Sequence, residues 1–200
     1  HAVVKDNKKS VVVLVIGESA RRENFSLYGY EKNTNPLLSK IPNVSHFNAN
    51  SNATYTTAGV KSILEYKDTG DLTEILPNYL ERNNVDVVWR TTNWGEPPVH
   101  IKNYQDRAFL SKECKGEGCN YDEILLTGLK EQILNSKKNK ILIILHTSTS
   151  HGPTYSKKYP SQFEKFKPVC NSVELANCSQ TELMNAYDNT IIYTDYILSK

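Results

Sequence analysis

Three short apolar runs, rich in β-branched residues, constrain this chain more than anything else in it: Ser10–Ile16, Val85–Trp89 and Ile141–Leu145. None alternates apolar with polar residues, so each suits a strand buried on both faces, as in a parallel sheet. The segments between them are helical in composition. Glu18-Ser19-Ala20-Arg21-Arg22 reads as the start of one helix, and Gly29 with Asn33-Thr34-Asn35-Pro36 as turn chemistry. Val44–Asn48 suits a short strand, and Thr54–Thr57 leads into a helix over Ala58–Tyr66. Asp71–Asn84 contains Pro77, which predicts a shorter helix with the proline in its first turn, running to about Arg82. Tyr121–Leu134 has apolar residues at helical spacing behind Asn120, a good N-cap. Thr181–Leu198 predicts a long helix, with Ser179 and Glu182 at capping-box spacing. Strands alternating with helices predict an α/β fold, a mainly parallel sheet flanked by helices. Sites in such sheets lie beyond the carboxyl ends of the strands. That rule puts Glu18, the region after Trp89 and the region after Leu145 on one edge.

A chain of 200 residues, 38% hydrophobic and 23% charged, is long enough for one sizeable core and does not require a second domain. The net charge of +2 gives no argument for nucleic acid, and the lysines fall in scattered pairs such as Lys8-Lys9 and Lys137-Lys138. The longest apolar runs are far below the roughly 18 residues a spanning helix needs. The opening His1-Ala2-Val3-Val4-Lys5 lacks the pattern of a signal peptide. The expectation is a soluble chain cut from something larger.

The four cysteines form two close pairs, Cys114 with Cys119 and Cys170 with Cys178. Local disulfides, a zinc site and reduced thiols are all readings of this pattern. Structural zinc usually takes tighter Cys-x-x-Cys spacing, which favours disulfides and an oxidising compartment. Glu18, almost directly after the first strand, is either a metal ligand or base, or a carboxylate placed to favour a helix dipole. Thr56 and Thr57 stand before a helix, where a threonine is either a cap or an activated nucleophile beside a bound phosphate. His146 and His151 follow the third strand and raise the odds of a phosphate or metal role. Asn93, after the second strand, is a phosphate donor or an ordinary turn residue.

In combination these segments resemble a known family. Ile16-Gly17-Glu18-Ser19-Ala20-Arg21-Arg22, Leu27-Tyr28-Gly29-Tyr30 and Thr34-Asn35-Pro36 are similar to the start of the catalytic domain of bacterial phosphoethanolamine transferases, in the alkaline phosphatase and sulfatase superfamily. Thr56-Thr57-Ala58-Gly59, Trp89-Arg90, His151-Gly152-Pro153 and Asn185-Ala186-Tyr187-Asp188-Asn189 follow in the family's order. The resemblance implies a zinc enzyme on the periplasmic face of the inner membrane. Such an enzyme takes phosphoethanolamine from phosphatidylethanolamine, holds it on a threonine and passes it to an acceptor such as lipid A. The family's metal-binding glutamate matches Glu18. Its phosphoryl-accepting threonine, which also contacts the zinc, matches Thr57. Asn93 and His151 match residues around the phosphoethanolamine group, and the two cysteine pairs match family disulfides.

Three departures go with the resemblance. The family's remaining metal ligands, an Asp-His pair and a further histidine, fall beyond Lys200. Its membrane-spanning segments precede a domain like this one. The cysteines that some members carry around the threonine are absent here. Residues 1–200 are therefore expected to be one soluble catalytic domain, truncated before those ligands. The rival expectations are a sulfatase or phosphodiesterase of the same superfamily, or an inactive glycan- or lipid-binding fragment.

Overall fold

The computed structural model describes residues 6–66 and 74–200. They divide into two compact units. The first holds the sheet: β1 (Ser10–Ile16), β2 (Asp86–Thr91), β3 (Asn103–Gln105) and β4 (Lys140–His146). All pairings are parallel, in the order β1-β4-β2-β3. The parallel α/β expectation holds, and the three apolar runs are β1, β2 and β4. β3, three residues long and without an apolar run, was not legible in the sequence.

Side chains alternate across β2 and β4 and build a core on each face. Val87, Trp89, Leu142 and Ile144 pack with Val60 and Leu64 of α1 (Thr56–Leu64). Val88, Ile141, Ile143 and Leu145 pack on the other face with Leu110 of α3 (Arg107–Leu110) and with Ile124 and Leu125. A helix α2 (Leu76–Arg82) lies between α1 and β2 in sequence and carries Pro77 in its first turn, as expected. The start of the Asp71–Asn84 segment lies outside the described residues. Double coverage explains the unalternating apolar sequences of β2 and β4.

β1 differs. Val11, Val12 and Val13 are exposed, Val12 by 58%. Only Leu14, Val15 and Ile16, toward its carboxyl end, are drawn into the core. Among the described residues β1 pairs with β4 alone. The expectation of burial on both faces thus fails for its first half, because an apolar run records strand propensity but not position in a sheet.

The Tyr121–Leu134 helix is also corrected. It is a 3-10 stretch, Asp122–Leu126, followed by α4 (Leu129–Asn135), with Gly128 between them at φ 58°. The buried Arg90 guanidinium donates through Nη1 to the carbonyls of Leu125 (2.8 Å) and Thr127 (2.6 Å). Those carbonyls would otherwise accept helix bonds, and glycine takes the left-handed conformation at little cost.

The second unit comprises Gly17–Asn48, Lys115–Glu123 and Ser148–Lys200. Its main element is α5 (Gln180–Leu198), with Ser179 as N-cap and a reciprocal capping box to Glu182, as the sequence predicts. Most of the unit wraps α5 in short 3-10 turns. No helix starts at Glu18: Ser19 sits at φ 50°, and the first turns are Arg22–Asn24 and Ser26–Tyr28. Nor is Val44–Asn48 a strand; it is exposed and irregular. Asp188, wholly buried on α5, accepts from Asn24 Nδ2 (2.8 Å) and Tyr30 Oη (2.9 Å) and pairs with Lys32 Nζ at 2.7 Å. The Asn185–Asn189 segment is therefore the post that holds these turns. Cys170 and Cys178 form a disulfide, Cys114 and Cys119 are likewise disulfide-bonded, and no cysteine is free among the described residues.

Candidate functional site

β1, β4 and β2 end level, with Ile16 beside His146 and His146 beside Thr91. The segments that leave this edge carry the residues singled out in the sequence, and they belong to the two units separately.

In the first unit, Thr56 and Thr57 are not caps. They lie inside the first turn of α1, and the N-cap is Tyr55, whose side chain makes no capping bond. The capping explanation for the threonines is thereby removed. Thr57 is exposed and Thr56 half-buried. Gly59 N–H is taken by Tyr55 O at 3.0 Å. The first N–H groups of an α-helix lie ahead of any acceptor within the helix, which suits a helix start to an anion.

Asn93 forms the turn after β2. Its Oδ1 accepts from the N–H groups of Trp94 (2.7 Å) and Gly95 (3.0 Å), and its Nδ2 donates to Thr147 O at 2.9 Å. The turn reading of Asn93 describes this geometry.

His146 is separated in role from His151. It is the last residue of β4, fully buried, with Nδ1 3.0 Å from Glu96 Oε1. A carboxylate oxygen only accepts, so Nδ1 carries a proton, and Nε2 is buried with no hydrogen-bond partner among the described residues. Glu96 Oε1 also accepts from Trp89 Nε1 at 3.0 Å, and Oε2 accepts from Tyr104 Oη. Burial acts to raise the Glu96 pKa, but hydrogen bonds from His146, Thr91, Tyr104 and Trp89 outweigh it and hold the carboxyl below its ordinary 4.5. A depressed carboxylate pKa contributes stability that is present above the ordinary value and lost as pH falls through the folded value. The melting temperature of the wild type is expected to drop more steeply below about pH 4.5 than that of Glu96→Gln. Parallel pH profiles for the two proteins would contradict this.

In the second unit, Glu18 is buried, accepts from Ser19 Oγ at 2.7 Å and lies 3.7 Å from His151 Nδ1. Without a helix at this point, the dipole explanation for Glu18 falls away. Tyr187 of α5 holds the backbone beyond it, donating to Ser19 O (2.6 Å) and accepting from Arg21 N (2.8 Å). Burial pushes the Tyr187 hydroxyl up to about 12, so it stays a neutral donor. His151 closes a turn, its N–H donating to Ser148 O at 3.1 Å. That turn is anchored by buried Asp122, whose Oδ2 accepts from the N–H groups of Ser148 (2.7 Å) and Thr149 (2.8 Å). Asp122 and Glu96 were missed in the sequence, and neither sits in a motif that would have revealed it.

Glu18 and His151 offer a carboxylate oxygen and an imidazole nitrogen, donor types that zinc accepts. Among the described residues, no group of three or more His, Cys, Asp or Glu is placed to hold a metal ion.

Comparison with known proteins gives three kinds of match. Residues 10–200 match the sulfatase family. Phosphoethanolamine transferase EptA of Helicobacter pylori is 44% identical over 98% of this chain, and the chain spans 38% of that protein. Among solved structures, the C-terminal periplasmic domain of phosphoethanolamine transferase EptC from Campylobacter jejuni is similar at a TM-score of 0.80 and 35% identity, covering 96% of this chain and 62% of that one. The C-terminal periplasmic domain of EcEptC from Escherichia coli, in complex with zinc, is similar at a TM-score of 0.73 and 25% identity, covering 97% of this chain and 58% of that one.

Proposed function

Because the chain belongs to the sulfatase family and its relatives are named phosphoethanolamine transferases, we propose that it carries the centre of such a transferase, with Thr57 as acceptor of the group. The observation that carries the reading is that Thr57 is exposed in the first turn of α1, with no cap to form. In the first step Thr57 Oγ1 attacks the phosphorus of phosphatidylethanolamine. The new Oγ1–P bond forms as the bond to diacylglycerol oxygen breaks. The threonine loses its proton, and the departing oxygen gains one. In the second step an envelope acceptor such as lipid A attacks the same phosphorus and frees Thr57. A covalent intermediate divides one difficult transfer into two easier ones. The N–H groups at the start of α1 suit the charge on the phosphoryl oxygens. Asn93, through the turn it holds, and His151 border the phosphoethanolamine group.

Threonine is a weak nucleophile, and the expected cofactor is zinc. Glu18 fits it as a ligand: its side chain is enclosed, and a carboxylate oxygen is a donor zinc takes. Thr57 is the second ligand assigned from this chain. Bound zinc would lower the pKa of a coordinated hydroxyl and polarise the phosphate. The zinc complex of the E. coli relative supports zinc as the metal. Its periplasmic provenance, with the disulfides here, supports action on the periplasmic side of the inner membrane.

Glu18→Ala in the full-length protein is expected to lower zinc content measured by elemental analysis. Wild-type zinc content in that variant would remove Glu18 as a ligand. The transfer itself is tested by incubating the protein with phosphatidylethanolamine and lipid A and weighing the products. Lipid A that gains phosphoethanolamine supports the transferase. Free phosphoethanolamine released at the same rate with and without lipid A favours a phosphodiesterase of the same superfamily.

A further inference from the structure

Glu96 has no task in the transfer steps, although its burial is costly. Its side chain is only 9% exposed. A carboxylate so enclosed is unfavourable unless donors compensate it. Side chains from three separate strands supply them: Trp89 and Thr91 from β2, Tyr104 from β3 and His146 from β4. The loop it belongs to is also tied at its other end, where Thr92 N–H donates to His146 O at 3.1 Å. The chain from Thr92 to Glu96 is therefore fixed at both ends, with the Asn93 turn inside it.

What this loop presses on is the start of α1. A Cβ built on Gly95 would stand 2.8 Å from Thr56 Cβ and 3.0 Å from Thr56 Cγ2. Those distances are too short for a real side chain. Glycine is needed at this position for room, since its backbone is not in the left-handed region. Thr56 in turn is the immediate neighbour of Thr57. We infer that Glu96, gripped by His146, Trp89 and Tyr104, is a positioning residue that seats Gly95 against Thr56 and so fixes the direction of the Thr57 hydroxyl. The inference rests on Thr57 being the acceptor of the phosphoethanolamine group. Displacing a reacting atom by about 1 Å can cost on the order of a hundredfold in rate. A methyl group wedged at Gly95 forces a displacement of that order.

The test uses the full-length protein and phosphatidylethanolamine in detergent micelles, with no acceptor. Phosphoethanolamine on the Thr57 peptide is followed over time by quenched mass spectrometry. Gly95→Ala is expected to slow labelling at saturating donor by roughly 10- to 100-fold, with an unchanged half-saturating donor concentration. Thr56→Gly, added to Gly95→Ala, removes the clashing atoms and is expected to restore most of the lost rate. Glu96→Gln, which adds no atoms, is expected to slow labelling less than Gly95→Ala. Wild-type labelling rates in Gly95→Ala and Glu96→Gln would overturn the inference. So would variants that melt early yet label at the wild-type rate per folded molecule, since that is a purely structural role. A wild-type protein that takes no label on Thr57 would remove the acceptor reading itself, and the positioning role with it.

Discussion

Thr57→Ala in the full-length protein is expected to lose phosphoethanolamine transfer by roughly a thousandfold or more, the scale on which covalent nucleophiles are felt when deleted. The fold should survive the change. Thr57 is exposed in the first turn of α1, contributes no cap and lies outside both apolar cores. Alanine is also the better helix former. Loss of transfer with an unchanged melting temperature would separate a chemical role from a structural one. Thr57→Ser, which keeps the hydroxyl, is expected to retain part of the rate. Transfer by Thr57→Ala at more than a tenth of the wild-type rate would exclude a covalent intermediate on this residue.

The second large effect concerns stability. Asp188→Ala is expected to destabilise the unit around α5 by about 3 to 5 kcal/mol, the usual range when one partner of a buried ion pair is removed. Asp188 is wholly buried, whereas the Lys32 side chain is 26% exposed, so the lower end of that range is the better expectation. The variant loses the charge that compensates Lys32, and it also strands the donors of Asn24 and Tyr30. A urea titration should show the midpoint falling well below wild type. The double variant Lys32→Met/Asp188→Leu should lose less than Asp188→Ala, because no lone buried charge remains. A midpoint for Asp188→Ala within error of the wild type would contradict this role.

The frame was legible where local signals and tertiary packing agree. β2 and β4 are covered on both faces, and each contains an unbroken apolar run, Val87-Val88-Trp89 in β2 and Ile141–Leu145 in β4. Ser179 and Glu182 announced the start of α5 because a capping box is a contact within four residues. Pro77 marked the start of α2 for the same local reason. The failures share a cause in distant partners. Nothing near Gly128 shows that Arg90, more than thirty positions earlier, will take the carbonyls of Leu125 and Thr127. Nothing in Val11-Val12-Val13 shows that β1 will pair, among the described residues, with β4 alone. Glu18 reads as a helix start until Ser19 turns into the left-handed region, held by Tyr187 from the far end of the chain.

The candidate site divides in the same way. Glu18, Thr57, Asn93 and His151 could be singled out as candidates because each stands in a short segment with a recognisable neighbourhood. The fold itself leaves no helix dipole at Glu18 and no cap at Thr57, and it spends the Asn93 amide on its own turn. Glu96 and Asp122 act through residues 50 and 26 positions away, so no local pattern points to them.

The most direct test of the central claim is the mass of the Thr57 peptide, from full-length, zinc-loaded protein incubated with phosphatidylethanolamine and quenched before an acceptor is added. The account predicts one phosphoethanolamine group on Thr57, which disappears when lipid A is supplied. A zinc-loaded protein that consumes phosphatidylethanolamine while Thr57 stays unmodified at every time point would contradict it.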